Sequence, residues 1–163
     1  MPDSITIAAI SDTHMQQPDA ALARAWERHL AAADVLVHCG DHVGQAVHHF
    51  LAAHPRLVAV RGNCDWEGEL AGLPQFAQCS VEGPCGRVLL GACHGWGPRS
   101  GVPGRVAEHF GPGYDLCLFG HTHARLFETI NGVLLLNPGS FAEGSMAVAT
   151  LGPGGWDCRF LDV

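Results

Sequence analysis

Short apolar runs alternate with longer stretches of helical composition through the first sixty residues. Residues 5–10 (ITIAAI), 35–38 (VLVH) and 57–60 (LVAV) are too short for helices, and their near-continuous apolar character is that of strands buried on both faces. Residues 20–33 and 44–53, between them, have the length and composition of helices. Strand–helix–strand–helix–strand in one span predicts a parallel sheet with right-handed crossovers.

The second half has a different rhythm. Residues 75–81 and 87–93 read as strands about a Gly- and Pro-containing turn, 102–110 as a short helix with Pro103 in its first turn, and 116–119 as a strand. Residues 125–130 and 133–136 flank Asn131-Gly132, a dipeptide suited to a two-residue hairpin turn. Residues 145–151 and 156–161 flank Gly152-Pro153-Gly154-Gly155, a second hairpin. No repeat or linker interrupts the pattern, and 163 residues suit one domain spanning residues 1–163.

Polar residues with metal-binding chemistry stand just after these strands. Asp12 and His14 follow the first in SDTH, Asp41 the second in HCGD, and Asn63 the third in RGNCD. His94 ends a later strand in CHG, and His121 and His123 follow residues 116–119 in GHTH. In open α/β sheets, sites gather beyond the carboxyl ends of the strands. Two carboxylates, four imidazoles and an amide oxygen are too many donors for one ordinary ion and about right for two. The mixture of oxygen and imidazole favours Mn²⁺, Fe²⁺, Zn²⁺ or Ni²⁺ over Ca²⁺. Asp41 is the natural bridge, one carboxylate oxygen serving each ion. His121 and His123 reach the same side if the chain between them is extended.

Composition narrows the chemistry. All nine basic residues are arginine and the net charge is −7, which disfavours strong nucleic-acid binding. Anionic substrates remain compatible if bound cations reverse the local sign. Seven cysteines without a CxxC pair, no secretory leader and no membrane-length apolar run predict free thiols and a cytoplasmic location. His29, His48 and His49 read as helix-surface residues.

SDTH, HCGD, RGNCD, CHG and GHTH, in this order and with NPGS at 137–140, resemble the calcineurin-like metallophosphoesterases, most closely the small YfcE-like phosphodiesterases. The resemblance runs over nearly the whole chain. It implies an α/β fold in four layers, α/β/β/α, with two mixed β-sheets flanked by helices. It implies one ion held by Asp12, His14, Asp41 and His123, and a second by Asp41, Asn63, His94 and His121. Mn²⁺ is the expected metal. Two such ions share a water, lower its pKa and aim it in line at phosphorus, with Asp41, Asn63 and His94 central to catalysis. Arg61 and Arg99 are candidates for phosphate contact.

The chain departs from the family pattern at two places. Cys64 stands where many relatives carry a histidine beside the leaving oxygen, which implies weak action on alkyl monoesters. Trp96 replaces a polar group in HGWG; with Trp66 it reads equally as the wall of an aromatic pocket or as a core or interface residue. The reading is a phosphodiesterase for small phosphoesters, with homo-oligomerisation left open. The alternatives are a non-catalytic protein scaffold, like the resembling retromer subunit, and a nuclease or cyclic-nucleotide phosphodiesterase.

Overall fold

A computed structural model describes residues 3–163. Among these residues, ten strands form two five-stranded sheets. The first sheet has the order β10-β9-β1-β2-β3, from β1 (Ile5–Ile10), β2 (Val35–His38), β3 (Leu57–Ala59), β9 (Ser145–Gly152) and β10 (Gly155–Asp162). β1, β2 and β3 are parallel, joined by α1 (Ala20–Ala25) and α2 (Gln45–Leu51), so the βαβαβ reading holds. β9 then pairs antiparallel with β1 and makes the sheet mixed.

The second sheet has the order β4-β5-β6-β8-β7, from β4 (Phe76–Gly83), β5 (Gly86–Cys93), β6 (Leu116–Leu118), β7 (Leu126–Ile130) and β8 (Val133–Asn137). β5, β6 and β8 run parallel, while β4 and β7 add hairpin partners at the edges. Asn131-Gly132 makes the expected turn, with both residues at positive φ (51° and 78°).

Strand alternation builds the layers. In β1, Ile5, Ile7 and Ala9 point into a core shared by the two sheets, with Val35 and Val37 of β2 and Leu116 and Leu118 of β6. Ala8 and Ile10 point the other way, onto Leu22, Leu30, Val47 and Leu51 of the helical layer. Across the molecule, Cys117, Phe119 and Leu135 meet Val102 and Val106 of α4 (Val102–Phe110). The result is the expected α/β/β/α sandwich.

Some local expectations change. The helix over 20–33 starts at Asp19, whose carboxylate caps Leu22 N–H at 2.8 Å, but α-geometry ends at Ala25 and a π-helical turn carries the chain to Leu30. A four-residue helix, α3 (Gly68–Ala71), stands where no helix was expected. No helix among the described residues is long and apolar enough to cross a membrane. All seven cysteines are free thiols.

Candidate metal centre

The two sheets bring the ends of β1, β2, β3, β5 and β6 to one edge, and the loops leaving these strands carry all seven candidate donors. The side chains meet. His123 Nε2 lies 3.1 Å from Asp12 Oδ1, and His14 Nε2 lies 3.6 Å from both Asp12 Oδ1 and Asp41 Oδ2. His94 Nε2 is 3.4 Å from Asp41 Oδ2 and 3.0 Å from Asn63 Oδ1. His121 Nδ1 is 3.1 Å from the same amide oxygen and 3.3 Å from His94 Nε2. Asp12, Asp41 and His94 are buried, whereas His14 and Asn63 face solvent, so the cluster is a floor with an open mouth.

The backbone is bent to make this cluster. Asp12, His14, Asp41, His121 and His123 all have positive φ, between 45° and 66°. Such φ values are uncommon outside glycine and gather at functional sites. The extended chain that the GHTH spacing suggested is therefore not formed; two left-handed histidines on either side of Thr122 present both rings. Close backbone approach matters as much. A Cβ at Gly62 would collide with the Asp41 carboxylate and backbone nitrogen, and one at Gly120 with Ser11 Oγ and Asp12 Oδ2.

The hydrogen bonds around the cluster set its polarity. His94 Nδ1 donates to the Cys39 carbonyl at 2.7 Å, His121 Nε2 to the Gly97 carbonyl at 3.1 Å, and His123 Nδ1 to Glu143 at 2.8 Å. With the outer nitrogen of each ring carrying the proton, the inner nitrogen of the neutral ring is a lone pair. The carboxylates are oriented likewise. Asp12 Oδ2 accepts from Ser11 Oγ and His121 N–H, leaving Oδ1 for the cluster. Asp41 Oδ1 accepts from Cys64 N–H at 2.7 Å, leaving Oδ2 facing both His14 and His94. Asp41 thus presents Oδ2 to both sides of the cluster, with Oδ1 engaged by the Cys64 amide.

Acceptors that face acceptors need a cation between them. Two atoms each ~2.1 Å from one ion at ordinary angles lie roughly 3.0–3.5 Å apart, the range of most contacts in this cluster. The donor set therefore fits divalent metal. Asp12, His14 and His123 converge, as do Asp12, Asp41 and His94. Without metal, protons take that role. Burial would lower the His94 pKa, but its hydrogen bond to Asp41 and the charges of Asp12 and Asp41 raise it above the ordinary value. The Asp41 carboxyl is held low despite burial, chiefly by His94 and the Cys64 amide.

The remaining candidates separate. Arg61 lines a cavity beside Asn63 and His94, with its Nη1 anchored on the Ala71 carbonyl at 2.9 Å. Arg99 is exposed in a 3-10 turn outside that cavity and is not brought beside Arg61. Cys64 Sγ sits with His14 and Asp41, their ligand atoms within 4.8 Å of one another. Its thiol is pushed up to about 11 by burial and by the Asp41 carboxylate. Cys93 packs away from the cluster, as its strand position requires.

One residue that braces the cluster escaped the sequence reading. Asp65, buried, accepts from the backbone N–H groups of Asp41 (2.9 Å), Val43 (3.0 Å) and Gly62 (2.8 Å) and from His42 Nδ1 (3.2 Å). Burial opposes its charge, but these bonds hold its pKa far below the carboxylate range. It ties the Asp41 loop to the Asn63 loop. The signal was the final residue of RGNCD, an aspartate with no strand end of its own to mark it.

Residues 5–151 match the calcineurin-like phosphoesterase superfamily domain. The chain belongs to that superfamily. It is 27% identical to the probable metallophosphoesterase YsnB of Bacillus subtilis over 164 residues, covering 97% of this chain and 91% of YsnB. A structure described as a novel archaeal phosphodiesterase superposes with a TM-score of 0.68 at 25% identity, covering 98% of this chain and all of that one. Entamoeba histolytica Vps29 complexed with zinc superposes at 0.62 with 20% identity over 97% of this chain and 99% of its own, a likeness of fold alone.

Within this metallophosphoesterase domain, NPGS braces the loops that carry the cluster. Asn137 Nδ2 donates to the Gly120 carbonyl and Thr122 Oγ1 (both 2.9 Å), and Ser140 Oγ donates to the Asp12 carbonyl at 3.1 Å. Of the histidines assigned no role, His49 pairs with Glu69 at the surface, while half-buried His48 lies edge-on to buried His42 at 5.5 Å.

Proposed function

We propose that this domain is a dinuclear metal-dependent phosphodiesterase acting on small phosphodiesters, with Mn²⁺ as the working metal. The observation that carries the reading is the set of carboxylate, amide and imidazole acceptors turned toward one another at hydrogen-bonding range. Asp12, His14, Asp41 and His123 would hold one ion, and Asp41, Asn63, His94 and His121 the other. Such ions, when bound, lower the pKa of a water nucleophile and offset charge building on the phosphoryl oxygens.

The chain's own residues do the rest. Asp41 Oδ2 faces both halves of the cluster and fixes their separation. His94 and His121 keep their outer protons on backbone carbonyls, so their inner lone pairs stay aimed. Asn63, at the exposed mouth, is placed between the cluster and incoming substrate. Arg61, anchored beside it, offers guanidinium charge to a non-bridging phosphate oxygen. A leaving oxygen near Cys64 meets a neutral thiol, a weak proton donor. This favours substrates whose leaving group needs no proton.

The scaffold alternative draws support from the fold likeness to Vps29, but an intact, oriented donor set supports catalysis instead. The nuclease alternative lacks the cationic surface that long nucleic acid requires. The test is metal content together with Mn²⁺-dependent hydrolysis of bis(p-nitrophenyl) phosphate. Activity abolished by chelation and by Asp41→Ala supports the reading, and activity surviving both refutes it.

A further inference from the structure

The large apolar side chains exposed among the described residues are Trp66 (78%), Phe76 (39%) and Trp96 (39%), and all of them line one cavity. Single exposed apolar residues need no explanation. Several converging on one concave site do. The cavity, about 340 Å³, is also lined by Arg61, Asn63 and His94, so it opens directly onto the candidate metal cluster. A ring seated there leaves its phosphoryl group within reach of that cluster.

The aromatic wall is built in advance. Phe76 stacks on His109 with centroids 3.8 Å apart and meets Trp96 edge-on at 5.5 Å. Arg105 Nε donates to the Trp96 carbonyl at 2.8 Å and pins the turn that carries the indole. β4, the turn after β5, and α4 thus hold one face of the cavity, and Trp66 stands at its mouth. Preformed aromatic surface binds flat rings at low entropic cost. A protein partner seated over these side chains would seal the mouth that Asn63 occupies, which makes substrate the better occupant.

Resting on the phosphodiesterase reading above, we infer that this cavity seats a planar aromatic group carried by the substrate, so that the enzyme selects aryl- or nucleobase-bearing phosphodiesters over purely alkyl ones. Trp96 and Phe76 form the stacking wall, and Arg61, lining the same cavity, is the cation offered to the phosphate. The inference concerns specificity; the metal-binding residues would process an alkyl diester at the same cluster.

The test compares phenylphosphonate with methylphosphonate on the Mn²⁺-loaded protein, by tryptophan fluorescence and by inhibition of bis(p-nitrophenyl) phosphate hydrolysis. The ring is expected to tighten binding about tenfold, the scale of aromatic stacking, and Trp96→Ala to erase most of that difference. Trp66→Ala, on a side chain already largely exposed, checks the result without disturbing the core. Adenosine 5′-monophosphate against ribose 5-phosphate distinguishes a nucleobase from a simple aryl ring. Equal affinity for ring-bearing and ringless ligands, or a preference unmoved by both substitutions, overturns the inference even if hydrolysis proceeds. Ring-selective binding without any hydrolysis would leave the pocket standing and remove the phosphodiesterase reading. A dimer in sedimentation that Trp66→Ala dissolves would assign the aromatic face to a second copy and overturn the inference.

Discussion

Asp65→Asn tests whether the cluster is held together from behind. Asp65 touches none of the proposed ligand atoms, yet its Oδ2 accepts from Asp41 N–H, Gly62 N–H and His42 Nδ1, and its Oδ1 from Val43 N–H. An amide keeps one oxygen at best. If that oxygen stays with the three donors, the NH₂ faces Val43 N–H, a buried donor against a donor. Leaving one buried donor unmet costs ~1–3 kcal/mol, and converting the other bonds from charged to neutral acceptors weakens each further. The loss is about 3–5 kcal/mol, large against a domain stability of roughly 5–15 kcal/mol. For a chain of this size it lowers Tm by on the order of 10 °C. Metal affinity is expected to fall ~10–100-fold, as when a group orienting a ligand is removed. Urea denaturation of the metal-free protein measures the first quantity and calorimetric Mn²⁺ titration the second. A variant within about 0.5 kcal/mol of the parent and with unchanged metal affinity would refute the reasoning.

Other outcomes follow from the same geometry. Cys64→His supplies a proton donor and should raise the ratio of alkyl to aryl phosphate turnover about 10–100-fold; an unchanged ratio excludes Cys64 from the leaving-group side. Gly62→Ala forces a methyl group against Asp41, costs ~1–3 kcal/mol and should impair metal binding together with folding; normal metal binding would contradict the close packing. The His94 pKa is raised and the Asp41 pKa lowered in the metal-free fold. The His94 contribution to stability is therefore full below about 6.5 and is lost as pH rises through its folded pKa, whereas that of Asp41 is lost as pH falls through its own. Metal-free protein should accordingly lose stability on the alkaline side, and Mn²⁺ binding should release protons near and below the His94 pKa. Titrations in buffers of different ionisation enthalpy check this, and heats independent of buffer would contradict it.

The chain's pattern displays the strands well because each buries a continuous apolar run, as in ITIAAI of β1, and because the Asn131-Gly132 turn demands positive φ at both positions. The candidate donors were visible for a related reason: each polar residue follows a strand, where the chain must stop pairing. The pairing of β9 with β1 was not visible, since it joins segments some 140 residues apart and no local signal encodes it. The α3 helix, four residues long, is too short to show a period. Arg99 lies near His94 in sequence, but the turn through Pro98 leaves it outside the cavity, a matter of loop geometry that spacing does not report. Asp65 was hidden because its partners are mainly backbone N–H groups, which carry no residue identity.

On the proposed reading, seven side chains from five loops form a dinuclear site around Asp41. Equilibrium metal analysis of the parent protein and of Asp41→Ala tests it most directly. Two divalent ions per chain in the parent, falling to one or none in the variant with loss of diester hydrolysis, is the predicted result. A parent that binds no divalent ion, or a variant that keeps both ions, would contradict it.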